Sequence, residues 1–155
     1  MQDIYNISFT GEFSYSLDSK GRLSIPAKYR KSLNPENNGI LVVAKGFDGE
    51  LMVYPFIDWL VVESELDSLN SIKRRNRNFV RGIIRTATHV QVDSHGRIVV
   101  PETLLNYAQI EKNVTIVGMI KRFELWNPSV LAQYETDNGD DDNRNFEDLA
   151  NDISF

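Results

Sequence analysis

Apolar and polar residues alternate through two short stretches of the chain, one about 75 positions after the other. In the first, Phe13, Tyr15 and Leu17 alternate with Ser14 and Ser16, and Leu23 and Ile25 with Arg22 and Ser24. In the second, Val90, Val92, Ile98 and Val100 alternate with His89, Gln91, Arg97 and Val99. A period of two is that of a strand with one buried face. Between the arms of each stretch lies Asp-Ser-x-Gly, at residues 18–21 and 93–96. Asp at the first position can accept a bond from a backbone N–H two residues on, and Gly at the fourth takes a positive φ without steric cost. Each stretch predicts a β-hairpin with one arginine, Arg22 or Arg97, just past its turn on the polar side.

The copies agree beyond the turn. Asp, Ser, Gly, Arg and Pro are identical at matching positions of residues 17–26 and 92–101, and an internal repeat dictates architecture. Pro26 and Pro101 predict helices starting at those residues, where a missing N–H costs nothing. Apolar runs predict third strands over 40–44 and 114–117 and fourth strands over 51–54 and 123–126. One unit is β-turn-β-α-β-β, present twice, at 11–55 and 87–134. Residues 1–9 read as a strand edge or loose arm.

Residues 56–86 lack a strand pattern and read as a helical connector. Trp59, Val62, Leu66 and Leu69 recur at helical steps, with Asp58 as a cap, and Ile72, Phe79, Val80, Ile83 and Ile84 mark a second helix. On that helix Arg74, Arg77, Arg81 and Arg85 fall on one stripe, beside Lys73 and Arg75. Glu63, Glu65 and Asp67 on the preceding helix are close enough to pair with it. DNA contact and an intersubunit ion-pair face both remain open for this stripe.

A net charge of −5 argues against a polyanionic partner until it is located. Residues 1–134 hold 16 Lys+Arg against 14 Asp+Glu, a balance of +2, and residues 135–155 hold one Arg against eight acids, a balance of −7. The second segment predicts a flexible, disordered or solvated acidic tail. Phe146, Leu149, Ile153 and Phe155 within it form a docking helix or are incidental. No apolar run approaches a membrane span, and the first residues carry no export pattern. Without cysteine there is no disulfide framework or thiolate metal site, which fits a cytoplasmic location.

Catalytic chemistry finds no support. Ser19 and Ser94 lack a His–acid partner set, Gly21 and Gly96 are solitary turn glycines, and His89, Asp93 and His95 do not form the three or four converging ligands a zinc site wants. Trp59 and Trp126 read as core. Arg22 and Arg97 have two readings: an exposed pair with Asp18 or Asp93, which contributes little, or cations presented to DNA. Lys20 and His95 sit at the turn apices. With His95 where the first turn has Lys20, the second turn should be the weaker contact. Lys28, Arg30 and Lys31 make a basic helix face in the first repeat only, since Thr103, Leu105 and Asn106 replace them in the second.

The doubled Asp-x-x-x-Arg hairpins, the Gly-Arg-Leu-Ser-Ile-Pro run at 21–26 and the Phe-Glu-Leu-Trp strand at 123–126 resemble the MraZ family of bacterial transcriptional regulators, over about residues 11–134. The resemblance implies an α+β fold, with two repeats forming an AbrB-like swapped-hairpin (double-psi-like) barrel flanked by helices. It implies ring-shaped homo-oligomers, an octamer among them, and double-stranded promoter DNA with short repeated motifs. The regulated genes would be its own promoter and the division and cell-wall cluster, in a cytoplasmic, nucleoid-associated setting. DNA contacts would come from Arg22, Arg97, Lys20, His95 and Lys28, with Asp18 and Asp93. No cofactor, metal, membrane, small-molecule substrate or enzymatic activity is expected. The rival reading is an AbrB-like antitoxin or a structural oligomerisation protein.

Overall fold

The computed structural model describes residues 8–154, so the arm expected over 1–7, and Phe155, lie outside the described residues. The first half runs β1 (Glu12–Ser16), β2 (Arg22–Ser24), α1 (Ala27–Ser32), a 3-10 turn at Pro35–Asn37, β3 (Ile40–Lys45), β4 (Leu51–Pro55) and α2 (Phe56–Asp67). After α3 (Arg74–Ile84) the second half follows the same plan: β5 (Thr88–Gln91), β6 (Arg97–Val99), α4 (Glu102–Tyr107), β7 (Asn113–Gly118), β8 (Phe123–Trp126) and α5 (Pro128–Ala150). Pro26 and Pro101 precede their helices by one residue, in extended conformation.

The two expected hairpins exist only at their turns. Asp18 N–H donates to the Arg22 carbonyl at 3.0 Å and Asp93 N–H to that of Arg97 at 2.8 Å, and then the arms part. β1 pairs with β7 and β5 with β3, while β2 pairs with β6, all antiparallel. The large sheet therefore reads β1-β7-β8-β4-β3-β5, and β2-β6 forms a separate ribbon. Each repeat lends its leading strand to the outer edge of the other's half. The six-stranded sheet is open, and no closed barrel is found among the described residues. Exchange lets both repeats bury their apolar faces in one core, which includes Leu23, Ile25, Leu41, Val43, Leu51, Ile98, Val100, Leu104, Ile116 and Leu125.

β3 is apolar on both faces, because both are covered. Leu41 and Val43 face the main core, and Val42 and Ala44 join Met52, Trp59, Leu66 and Ile83 beneath α2 and α3. Asp58 does not cap α2. Pro55 precedes the helix, and the buried Asn37 side chain, brought from the 3-10 turn, accepts from Ile57 N–H at 2.8 Å. Phe9 belongs to the core, at 1% exposure, in an aromatic group with Tyr29 and Phe123. Gly118 makes room for it: a Cβ there would lie 2.6 Å from the Phe9 backbone.

Residues 135–150, expected to be disordered or solvated, are solvated but helical, as the continuation of α5. Asn127 caps the helix, accepting from Ser129 and Val130 N–H at 2.8 and 3.3 Å, and Pro128 follows at the first position. Bonds one turn apart, such as Gln133 to Asp137 at 2.7 Å, run along it. α5 occupies in the second half the place of α2 in the first. The repeating unit is thus one helix longer than its strand pattern suggests.

Candidate nucleic-acid interface

The β2–β6 ladder pairs Arg22 with Val99, Leu23 with Ile98 and Ser24 with Arg97. Leu23 and Ile98 are fully buried, so alternation turns Arg22 and Arg97 to the opposite face. Each arm is also lashed to the other turn: Ile25 N–H donates to the Gly96 carbonyl at 2.9 Å and Val100 N–H to that of Gly21 at 3.3 Å. Two turns separated by 75 residues in sequence therefore stand side by side.

Each turn is built around its aspartate. Asp18 Oδ1 accepts the N–H groups of Lys20 and Arg22, both at 2.9 Å, while Oδ2 holds Arg22 Nε at 2.5 Å. Asp93 Oδ1 takes the N–H groups of His95 and Arg97 at 2.8 and 2.9 Å, and its Oδ2 takes Arg97 Nε at 3.1 Å. The backbone bond from Arg22, with its side-chain bond and that from Lys20, holds the Asp18 carboxyl down at about 2. The Asp93 carboxyl is lowered by the same contacts, led by the Arg97 backbone bond. Asp18 Oδ2 also lies 3.9 Å from Arg97 Nη1, so the clusters touch across the repeats.

The expected acid–arginine pairs are therefore present, and they leave something over. Each aspartate hydrogen-bonds only the Nε of its own arginine, and apart from the 3.9 Å ion pair of Arg97 Nη1 with Asp18 no hydrogen bond among the described residues takes an Nη atom of Arg22 or Arg97. Their side chains are 29% and 27% exposed. A guanidinium fixed at Nε with its outer edge free is a preoriented donor fork for phosphate or a guanine edge.

Lys20 and His95 are exposed at the two turns. Lys28 is exposed on α1 and donates to Thr10 Oγ1 at 2.9 Å, outside the turn cluster. His89 packs edge-on to Phe56, apart from Asp93 and His95. Among the described residues no group of three His, Cys, Asp or Glu is placed to hold a metal ion, and no helix is long and apolar enough to cross a membrane. The α3 stripe forms no ion pair with Glu63, Glu65 or Asp67 among the described residues. Arg77 bonds the carbonyls of Ser71 and Ile72 at 3.0 and 2.7 Å, and Arg81 bonds Asn78 Oδ1 at 3.0 Å.

One cation was missed as part of the site. Arg30 bonds the Ile25 carbonyl at 3.1 Å and lays its guanidinium over the second turn, 2.6 Å from where a Gly96 Cβ would stand. Nothing lies within 4 Å of the corresponding point at Gly21. The signal was the break in symmetry, Arg30 against Leu105. Both glycines have positive φ, +73° and +78°, so Gly21→Ala and Gly96→Ala should each cost about 1–2 kcal/mol in strain. Adding Arg30→Ala should recover part of the loss, about 0.5 kcal/mol or more, only in the Gly96→Ala background. Urea denaturation of the three single variants, Arg30→Ala among them, and the two double variants measures this coupling.

A tandem α+β protein whose interleaved halves bring two acid-anchored arginines to one ribbon is the class these features define. The family model described as "MraZ protein, putative antitoxin-like" matches the chain twice, over residues 8–82 and 83–152, each match spanning one half of the fold. The chain belongs to the MraZ family. It is 41% identical to the transcriptional regulator MraZ of Pediococcus pentosaceus over 94% of this chain and 96% of that protein. It is 39% identical to that of Lactiplantibacillus plantarum over 94% and 97%, and 40% identical to that of Desulforamulus reducens over 81% and 86%.

Proposed function

We propose that this chain is a sequence-selective, DNA-binding transcriptional regulator that acts on its own promoter and the neighbouring division and cell-wall genes, in the nucleoid. The observation that carries the reading is the side-by-side placement of Arg22 and Arg97, each held at Nε by its own aspartate. The names of its relatives support the regulatory role. Arg22 and Arg97 read bases or bridge phosphates. Lys20 and His95 add phosphate contacts at the turn tips, and Lys28 adds one from α1. Asp18 and Asp93 position the arginines and do not meet DNA as charges.

The reciprocal exchange of β1 and β5, with the β2–β6 ribbon, supports a swapped-hairpin plan in which 11–55 and 87–134 are the DNA-facing units and 56–86 the connector. One copy offers few phosphate contacts, fewer than specific binding at physiological salt requires. Self-association into a ring, such as an octamer, repeats the pair along an operator of short repeated motifs.

A gel shift with DNA from upstream of its own gene tests this at two salt concentrations. Binding at least about 10³-fold tighter than to a scrambled duplex, weakening steeply with salt, is expected. Equal affinity for both duplexes, or no shift at low salt, rules the reading out.

A further inference from the structure

Two features that DNA binding leaves unused fit each other. The first is a groove between α2 and α3, a cavity of about 430 Å³ with Leu69, Val80 and Ile84 on its floor and Arg77, Arg81 and Arg85 along one wall. Leu69 and Ile84 are each 38% exposed. The second is the far end of α5 with the few residues that follow it. Phe146, Leu149 and Ile153, three and four residues apart, follow one side of the chain and are 75%, 60% and 58% exposed. Acids flank this ridge, among them Asp142, one turn before Phe146, and Glu147. Three large side chains aligned along the last turns of a helix and the bend just past its end, and left in water, mark an interaction surface.

We propose that the end of α5 from one copy of this chain docks in the α2–α3 groove of another copy. The apolar ridge covers Leu69, Val80 and Ile84, and the flanking acids meet Arg77, Arg81 and Arg85. This is a helix laid in a groove, with apolar anchors at helical spacing. DNA would satisfy the arginines but leave the floor bare, whereas this chain carries a helix of the matching charge and apolar spacing. Its own α5 does not fill its own groove, since the ridge is exposed. Glu63 and Asp67 lie on the α2 side and repel the same acids, so the incoming helix leans toward α3, which sets its orientation. Groove and ridge are different surfaces, so the contact is heterologous, the kind that closes rings. The proposal rests on the self-association proposed above and names its surfaces.

Light scattering on the full-length protein at micromolar concentration is the test. The wild type should run larger than a monomer. Arg77→Glu/Arg81→Glu and Asp142→Lys/Glu147→Lys, all at exposed positions, should each fall to monomer mass with native circular dichroism. An equimolar mixture of the two should regain the assembly, because each reversed groove then meets a reversed ridge. Phe146→Ser/Leu149→Ser, which alters no charge, should also dissociate. A monomeric wild type, any of these variants folded at wild-type mass, or a mixture that stays monomeric overturns the contact. Loss of DNA binding by Arg77→Glu/Arg81→Glu at unchanged mass likewise overturns it and assigns the stripe to DNA. A wild-type assembly that shifts no DNA sinks the regulatory reading and leaves this one standing.

Discussion

Arg22→Ala is expected to abolish sequence-selective DNA binding while leaving the fold intact, and Arg97→Ala to do the same. Each arginine presents its outer edge from a turn whose backbone is held independently, by Asp18 or Asp93 accepting two N–H groups. Removing the guanidinium removes the contact and spares the turn. A bidentate base contact contributes about 1–3 kcal/mol, roughly a 5- to 150-fold loss for each copy of the turn, and a repeating assembly multiplies the effect. Arg22→Lys keeps the charge but cannot be gripped at Nε, so it should retain non-specific binding and lose selectivity. Fluorescence anisotropy against operator and scrambled duplexes, with circular dichroism as the check on folding, decides the matter. Unchanged operator affinity in folded Arg22→Ala removes that residue from the interface.

Glu50→Gln is expected to abolish a loss of stability that the wild type suffers as pH rises through the neutral range. Glu50 is 1% exposed immediately before β4, and Glu124 is buried on β8, the neighbouring strand. Burial pushes the Glu50 carboxyl up from 4.5 to about 7, and the Glu124 and Asp48 charges add to this, against one bond from Asp48 N–H at 3.3 Å. The folded pKa is the higher one, so the folded state holds a proton that the unfolded state has released. Its contribution is fully present below about pH 4.5, is lost as pH rises through about 7, and stays lost above. The swing is on the order of 3 kcal/mol. Gln has nothing to titrate, so the variant should match the wild type near pH 5 and exceed it in Tm near pH 8. A difference in Tm that is the same at both pH values would show that Glu50 does not titrate in this range.

Much of the local chemistry was legible, the Asp58 cap being an exception, since Asn37 from the 3-10 turn serves α2 instead. The turns at 18–21 and 93–96 close as Asp and Gly require, the two prolines sit at helix starts, and β4 and β8 lie within a residue of their apolar runs. The acidic stretch after Tyr134 misled because its run of like charges, residues 135–142, outweighs the few apolar residues that follow it. What keeps it helical is a capped, proline-led start at Asn127 and bonds one turn apart, neither of which hydropathy registers.

The chain order of residues determined the doubled unit, the turn with its acid-held arginine, and the buried face of each hairpin arm, because each depends on neighbours a few positions away. Only tertiary structure decided that β2 would pair with β6 rather than with its own lead-in arm, and so that Arg22 and Arg97 would share a face. Leu23 and Ile98 are apolar under either pairing, and period-two alternation carries no record of which strand lies alongside. The choice falls to the common core, where exchanged arms bury both repeats together. Arg30 over Gly96 belongs to the same level: a helix of one repeat reaches the turn of the other only after that exchange has been made.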